Sequence, residues 1–167
     1  MPQQETPQVI GVRHVGLSAR DPAALAEFYT DVLGLQVVPV DTSGLGATAF
    51  LSSHPAEVPV DLALFANPAY QHTAFEVRSL ADLRALHQRF LDLGVRVKMA
   101  LNHGVSLSFY FDDPEGHLIE VYWPTGVVCR PRHGNPIDLT LPEEALRRDV
   151  AEPATRADAP IATGGRW

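Results

Sequence analysis

The same order of predicted elements occurs twice along the chain, and this repeat limits the possible fold more than any other feature. A strand at 11–19 leads into a helix and further strands, and a strand at 71–79 starts the same order again. His14 and His72 stand in the two opening strands. Each unit is β-α-β-β-β with about 55–60 residues, too few to cover one face of a sheet alone. We therefore predict that the two units pair their sheets around a shared interior.

Local capping residues predict where both helices begin and end. Asp21 is expected to cap the first helix, with Pro22 at its first position and Gly34 as its stop. Ser79 is expected to cap the second helix, which Gly94 ends. The strands predicted after the helices are 36–40, 47–53 and 60–66 in the first unit, and 96–101, 106–111 and 118–123 in the second.

The chain outside the two units is richer in proline, glycine and charge. We divide the sequence into a flexible tail at 1–9, a first module at 10–68, a second module at 69–125, an extended arm with a short helix at 126–150, and a flexible tail at 151–167. Thr140 is expected to cap the short helix, with Glu143 completing a capping box. The arm is expected to wrap the body and to offer a surface for assembly.

Composition excludes several classes of function. The net charge of −7 and the pI near 5.4 argue against binding to nucleic acid or to anionic membranes. Cys129 is the only cysteine, so one chain can form neither a disulfide framework nor a cysteine zinc site. The stretch "MPQQETPQ" lacks the apolar run of a secretory leader, and no apolar run approaches the ~20 residues of a membrane span. A cytoplasmic location is the resulting expectation.

Strand alternation brings four polar side chains to the face turned away from the helices. His14, His72, Tyr110 and Glu120 share this inner face, while their apolar neighbours are expected to pack under the helices. Two histidines and a carboxylate form a set that binds metal and leaves positions open for substrate. A carboxylate inside an apolar strand is unfavourable to bury unless it is paired or metal-bound. The alternative for each histidine is an ordinary hydrogen-bonded or exposed strand residue.

Three stretches resemble the vicinal oxygen chelate superfamily: "RHVGLSARDPAALAEFYTDVLGL", "QHTAFEV" and "FYFDDPEGHLIEVYW". This superfamily includes glyoxalases, fosfomycin-resistance transferases, bleomycin-binding proteins and extradiol ring-cleaving dioxygenases. The resemblance covers about residues 10–125. It implies an α+β fold in which two paired β-α-β-β-β modules form a cupped, incomplete mixed β-barrel around a metal site, with a C-terminal extension. It also places the metal ligands on His14, His72 and Glu120.

Within the superfamily, two chemistries fit this sequence less well. Glyoxalases usually take a fourth ligand from the last strand of the first module, where this chain offers only Asp61, in the opposite register. Fosfomycin transferases typically carry threonine two residues after the first histidine, where Gly16 stands, together with a cationic phosphonate pocket. Lys98 could supply one cation, although a solvated lysine at a strand end is the simpler interpretation. Metal-free binding modules such as the bleomycin-binding proteins generally lack the ligand set.

Extradiol dioxygenases match best, because their last hairpin pairs a histidine with a tyrosine ten residues before the glutamate ligand. Tyr110 stands ten residues before Glu120, and His103 lies in the loop that leads into the same strand. The resemblance therefore implies Fe(II), or alternatively Mn(II), a small aromatic diol and O2 as substrates, His103 as acid/base, and Tyr110 as hydrogen-bond donor. It also implies a homodimer.

One departure from the extradiol pattern concerns a further histidine that many of these enzymes carry in the first module. Val60 occupies that position, and His54 lies nearby in sequence. The remaining histidines are expected to be solvated or to lack a role, namely His87, His117 and His133.

Overall fold

The computed structural model of the chain describes residues 7–40, 44–127 and 133–151. Cys129, residues 1–6 of the first tail and residues 152–167 of the last tail lie outside these ranges, so the expectations for them stay predictions. Within the described ranges, no helix is both long enough and apolar enough to cross a bilayer.

Among the residues described, each of the two modules contains one helix and four strands. The first consists of β1 (Val9–Ser18), α1 (Pro22–Leu33), β2 (Gln36–Val37), β3 (Thr48–Ser52) and β4 (Leu62–Phe65). The second consists of β5 (His72–Val77), α2 (Leu80–Asp92), β6 (Met99–Asn102), β7 (Ser106–Asp112) and β8 (Leu118–Pro124). A 3-10 turn at Pro68–Tyr70 joins the modules, and β9 (Asn135–Pro136) and α3 (Glu143–Ala151) follow them.

The strands form one open, mixed sheet of nine strands in the order β2-β3-β4-β1-β5-β8-β7-β6-β9. In each module the opening strand pairs parallel with the last, β1 with β4 and β5 with β8. The two opening strands pair antiparallel with each other. This order confirms the predicted α+β fold of two paired modules, and it places β1, β5 and β8 side by side at the centre of the sheet.

Capping explains why the two long helices begin and end where the sequence predicted. The Asp21 carboxylate accepts hydrogen bonds from the amides of Ala23 and Ala24, and Gly34 ends α1 in the left-handed region at φ 70°. The Ser79 hydroxyl oxygen accepts from the amide of Asp82 at the start of α2. Because these contacts satisfy amides that the first helical turn leaves free, the helix starts follow from local sequence.

The start of α3 was predicted wrongly. The helix begins at Glu143 rather than after a Thr140 cap, because Thr140 donates its hydroxyl and amide protons to the side chain of Asp138. Glu143 does not complete a capping box and instead pairs with Arg147 one turn later. The Pro142 carbonyl accepts the amide of Leu146 and so begins the helix.

Strand β2 is also shorter than predicted. The amide of Val38 still donates to the Phe50 carbonyl, but Pro39 has no amide proton with which to continue the pairing.

Two apolar clusters cover the side of the sheet opposite the inner face. The smaller one joins α1 to the first module through Ala26, Leu51 and Leu64. The larger one joins α2, α3 and the second module, and its buried members are Val77, Leu80, Leu83, Leu107, Phe109, Val121, Leu139, Leu146 and Val150. These positions confirm that the apolar strand faces lie under the helices.

His87 belongs to this buried side, so the expectation that it is solvated was wrong. Only 8% of the residue is exposed, and its ring meets Phe109 edge to face at 5.4 Å between centroids. Burial lowers the pKa of His87, while the charge of Asp138 partly offsets that effect. The imidazole therefore packs as part of the hydrophobic core.

Candidate metal centre

The three predicted metal ligands come from the three central strands of the sheet. His14 on β1 and Glu120 on β8 both lie opposite Ala74 of β5, in the same row across the sheet. His72 lies two residues before Ala74, at the start of β5, opposite Gly16. His14 is 58 residues away from His72 in sequence and 106 residues away from Glu120. The three side chains meet because their strands are neighbours in the sheet.

The ligand atoms of these three residues converge on one point. Nε2 of His14 lies 3.2 Å from Nε2 of His72 and 3.1 Å from Oε2 of Glu120, and Nε2 of His72 lies 3.4 Å from the same oxygen. The side chains are largely buried, with exposed fractions of 17%, 9% and 3% for His14, His72 and Glu120. Together they are a group that could hold a metal ion.

The hydrogen bonding of His72 supports this use. Its Nδ1 atom lies 2.7 Å from the carbonyl oxygen of Tyr70 and donates its proton there, which leaves a lone pair on Nε2. That lone pair faces an oxygen of Glu120 and a nitrogen of His14, an arrangement that requires a proton or a cation between them. Ligands about 2.1 Å from a metal and at right angles to each other stand about 3 Å apart. The observed separations of 3.1–3.4 Å fit such a group.

The pKa values of Glu120 and His72 are each shifted by the contact between the two residues. Burial by itself would raise the pKa of Glu120, but hydrogen bonds from His14 and His72 lower it well below its ordinary value. Burial lowers the pKa of His72, but the contact with Glu120 outweighs this effect and raises it. The carboxylate is therefore held ionised in a buried place, as a metal ligand has to be.

Gly16 leaves the space that the His72 ring occupies. A β-carbon at position 16 would stand 2.7 Å from Nδ1 and 2.9 Å from Cε1 of His72, and 3.0 Å from Cε2 of Phe65. The ring cannot move aside freely because its Nδ1 is bonded to the Tyr70 carbonyl. A glycine inside a strand often marks such a close approach, so Gly16 is a sequence signal for a residue packed against its strand.

Gly16→Thr is therefore expected to weaken metal binding by about 10–100-fold, the range seen when the orientation of a ligand is disturbed. Isothermal titration with a divalent metal would measure the loss. Ser18→Thr also places a threonine on β1, two residues further along at an exposed position, and should leave affinity unchanged. Equal affinity in Gly16→Thr and the native chain would contradict the steric role of Gly16.

The structure brings the predicted pair His103 and Tyr110 together beside this cluster. Nε2 of His103 lies 3.1 Å from the Tyr110 hydroxyl, and Nδ1 of His103 lies 2.7 Å from the carbonyl oxygen of His133. Tyr110 is paired with Glu120 across β7 and β8, and its ring lies 6.0 Å from that of His72. A buried phenol and a half-buried imidazole thus stand next to the three candidate ligands.

Burial governs the protonation of both side chains. It lowers the pKa of His103, against the opposing charge of Glu120, and therefore favours the neutral imidazole. It also raises the pKa of Tyr110 well above the ordinary value, and the nearby Glu120 charge raises it further. The phenol consequently keeps its proton and the imidazole keeps a free lone pair, as a donor and a base require.

A second polar group on the inner face was not identified from the sequence. The Tyr122 hydroxyl donates to Glu76 at 3.0 Å, and Nε of Arg13 lies 3.5 Å from the same carboxylate oxygen. The Tyr122 ring lies 5.4 Å from that of His14. Arg13 reaches this face because a bulge in β1 between Val12 and His14 breaks the alternation. Simple alternation would place Arg13 on the side opposite His14, so it does not predict the contact of Arg13 with Glu76.

Other residues considered from the sequence take no part in the described cluster. Asp61 accepts hydrogen bonds from the amide and hydroxyl of Ser53. His54 is exposed, and Lys98 pairs with Asp112 at 2.9 Å. A cavity of about 710 Å³ lies elsewhere, between α1 and the β2–β3 edge, and contains none of the predicted site residues.

The sequence model of the Glyoxalase/Bleomycin resistance protein/Dioxygenase superfamily matches residues 11–121. A biphenyl-2,3-diol 1,2-dioxygenase from Rhodococcus globerulus is 30% identical over 120 residues, which are 65% of this chain and 60% of the relative. The chain thus spans less than two thirds of the length of this relative.

Solved structures show the same architecture over a larger part of the chain. Homoprotocatechuate 2,3-dioxygenase from Brevibacterium fuscum, in complex with 3,4-dihydroxyphenylacetate, superposes with a TM-score of 0.59 at 26% identity. The match covers 77% of this chain and 41% of that one. The Mn(II)-bound glyoxalase from Novosphingobium aromaticivorans superposes with a TM-score of 0.57 at 24% identity, over 81% of this chain and 43% of that one. The glyoxalase likeness concerns the fold alone.

Proposed function

We propose that this chain, which belongs to the glyoxalase/bleomycin resistance protein/dioxygenase superfamily, is a metal-dependent extradiol dioxygenase that opens the ring of a catechol-type diol with O2. The observation that carries the proposal is the His103–Tyr110 hydrogen bond beside the convergent ligand atoms of His14, His72 and Glu120. A metal site alone suits several reactions, whereas an adjoining neutral base and phenol suit a substrate that must lose protons.

In this proposal His14, His72 and Glu120 hold Fe(II), with Mn(II) as the alternative. With three protein ligands, positions would remain open for substrate, and the ion would supply the Lewis acidity that makes a diol easier to deprotonate. The choice between metals is part of the proposal, since imidazole and carboxylate ligands suit both. The overall reaction breaks the carbon–carbon bond beside the diol and inserts both atoms of O2, with the substrate supplying all the electrons.

His103 is the proposed acid/base. Its Nδ1 proton is engaged by the His133 carbonyl, so Nε2 carries the lone pair that accepts a proton from a bound diol and later returns it. Tyr110 is the proposed hydrogen-bond donor to a substrate oxygen, because its raised pKa keeps the hydroxyl protonated. The Tyr110 side chain is buried and His103 is half-buried, which limits the access of bulk water to the proton exchange.

The relatives and the inner face support the proposed class of substrate. The curated relative acts on biphenyl-2,3-diol by its name, and the B. fuscum structure holds 3,4-dihydroxyphenylacetate. The inner face beside His72 is aromatic, with Phe65 in contact with Phe50, Tyr70 and His72 at 5.7–5.8 Å between centroids. Such a wall suits a flat ring, and we include substituted and bicyclic catechols in the proposal.

The test begins with anaerobic purification and metal analysis, followed by a panel that contains 2,3-dihydroxybiphenyl and 3,4-dihydroxyphenylacetate. We expect O2 consumption together with a yellow ring-fission product. An iron-loaded protein that consumes no O2 with any mono- or bicyclic catechol would refute the proposal. Conjugation of a thiol to a phosphonate epoxide would identify a transferase instead. Tight binding of an aromatic ligand without turnover would identify a binding module.

We also propose a cytoplasmic homodimer that binds neither nucleic acid nor membranes. Exposed apolar side chains on α1 and β2 support self-association, since Phe28, Val32, Leu33 and Val37 are each more than half exposed. Residues 135–150 of the arm pack on their own chain, because β9 pairs with β6 and α3 contributes Leu146 and Val150 to the larger apolar cluster. Light scattering of the full chain is therefore a better test than deletion of residues 126–167, and a monomer would contradict the dimer.

A further inference from the structure

The arm that follows the two modules reaches the proposed acid/base directly. The carbonyl oxygen of His133 is the hydrogen-bond partner of Nδ1 of His103, at 2.7 Å. Gly134 lies against the same ring, since a β-carbon there would be 3.6 Å from Cε1 and 3.7 Å from Nδ1 of His103. Neither module supplies this contact, because residue 133 lies beyond both.

A carbonyl oxygen can only accept a hydrogen bond, and this decides the protonation state of the ring. Nδ1 of His103 must carry the proton that His133 accepts, so Nε2 of the neutral imidazole is an acceptor. In the absence of substrate the Tyr110 hydroxyl, 3.1 Å away, then donates to Nε2, and a bound diol would take over both the Tyr110 donor and the Nε2 acceptor. Without the carbonyl both tautomers would be allowed, and one of them would turn an N–H toward Tyr110.

The position of this carbonyl is held by the fold of the arm. Strand β9 pairs with β6 through Asn135 and Pro136, immediately after the contact, and Ile137 donates its amide to the Ala100 carbonyl. Further along, the side-chain amide of Asn102 donates to the carbonyl and carboxylate of Asp149 in α3. Residue 133 is thus fixed to the same strand, β6, after which His103 follows.

We infer that the arm completes the catalytic site, with the main-chain carbonyl of His133 as a positioning group that keeps Nε2 of His103 unprotonated and so able to accept a proton. This inference rests on the proposed function for its catalytic meaning, but the hydrogen bond itself can be measured without turnover. It assigns a role to a segment outside the modules that carry the superfamily match at residues 11–121.

The test uses the full chain loaded with Zn(II), which is diamagnetic, and ¹⁵N–¹H correlation spectra of the His103 ring. Native protein should show the Nδ1–H tautomer at neutral pH. Gly134→Ala should keep it, because a β-carbon fits at ordinary contact distance, whereas the branched side chain of Gly134→Val should push ring and arm apart. His133→Ala keeps the carbonyl, so it should also keep the Nδ1–H tautomer.

Turnover provides the second measurement. With Fe(II) and the preferred diol, Gly134→Val should lower kcat by about 10²-fold or more at unchanged metal content, and Gly134→Ala should not. The inference would be overturned if His103 of the native chain carried its proton on Nε2. It would also be overturned if the Nδ1 proton of His103 were absent in His133→Ala. If no diol is cleaved while the tautomers behave as expected, the proposed reaction is wrong, but the hydrogen bond between the His133 carbonyl and His103 is confirmed.

Discussion

Glu120→Gln is expected to lose most of its bound divalent metal while keeping its fold. The substitution replaces a charged oxygen ligand, 3.1 Å from Nε2 of His14 and 3.4 Å from Nε2 of His72, with a neutral amide of the same shape. Loss of one ligand among three should reduce affinity by more than the ~10–100-fold typical of residues that only orient a ligand. Metal content after dialysis measures the effect, and circular dichroism with a thermal melt measures the fold.

Glu76→Gln is the matched control for this experiment. Glu76 is a carboxylate on the same face of the sheet, but it pairs with Tyr122 and Arg13 instead of the ligand group. It should retain metal. Full occupancy in Glu120→Gln, or equal losses in both variants, would show that the three residues do not form the metal centre.

His103→Ala is expected to retain its metal and to lose about 10²–10⁴-fold in kcat, the range for removal of one acid/base group. The residue contacts Tyr110 and His133 but none of the three ligands through a hydrogen bond given by the structure. Tyr110→Phe should also lower kcat with little change in metal content, because it removes the donor and keeps the ring. Steady-state O2 consumption at saturating diol, with metal analysis of each sample, measures both effects.

His54→Ala serves as the control, since His54 is an exposed histidine whose Nδ1 contacts only the neighbouring Ser53 hydroxyl. The His54→Ala variant should have the kcat of the native chain. If His103→Ala cleaves diols at the native rate, another group moves the proton. If it loses its metal, the effect on kcat cannot be assigned to acid/base chemistry.

The sequence predicted the parts of the fold that local rules control. Asp21, Gly34 and Ser79 set helix ends through contacts with amides or carbonyls only a few residues away. The alternation in β5, β7 and β8 placed His72, Tyr110 and Glu120 on one face because these strands are regular. The repeat then made the pairing of the two units the simplest arrangement.

The errors occurred where tertiary contacts override local rules. Thr140 has the sequence of a cap, but Asp138 competes successfully for its hydroxyl and amide. His87 follows Leu80 by seven residues and Leu83 by four, so helical spacing already placed it on the buried stripe, and only its polarity suggested otherwise. The hydrogen bonds from His72 and His103 to the carbonyls of Tyr70 and His133 could not be predicted from the sequence, since every residue has a carbonyl.

The central position of the ligand strands has a consequence for how the two halves of the chain hold together. The boundary between modules is the β1–β5 ladder, with His14 on one side of it and His72 and Glu120 on the other. An ion bound by all three would join the modules across this seam, and pulling the seam apart would release the ion. Module association and metal binding would then be thermodynamically linked, contributing about 2.7 kcal/mol to stability at a free metal concentration of 100 Kd. The interface between the modules would be more stable at high free metal concentration than at low, so the metal supply would set the stability of the folded chain.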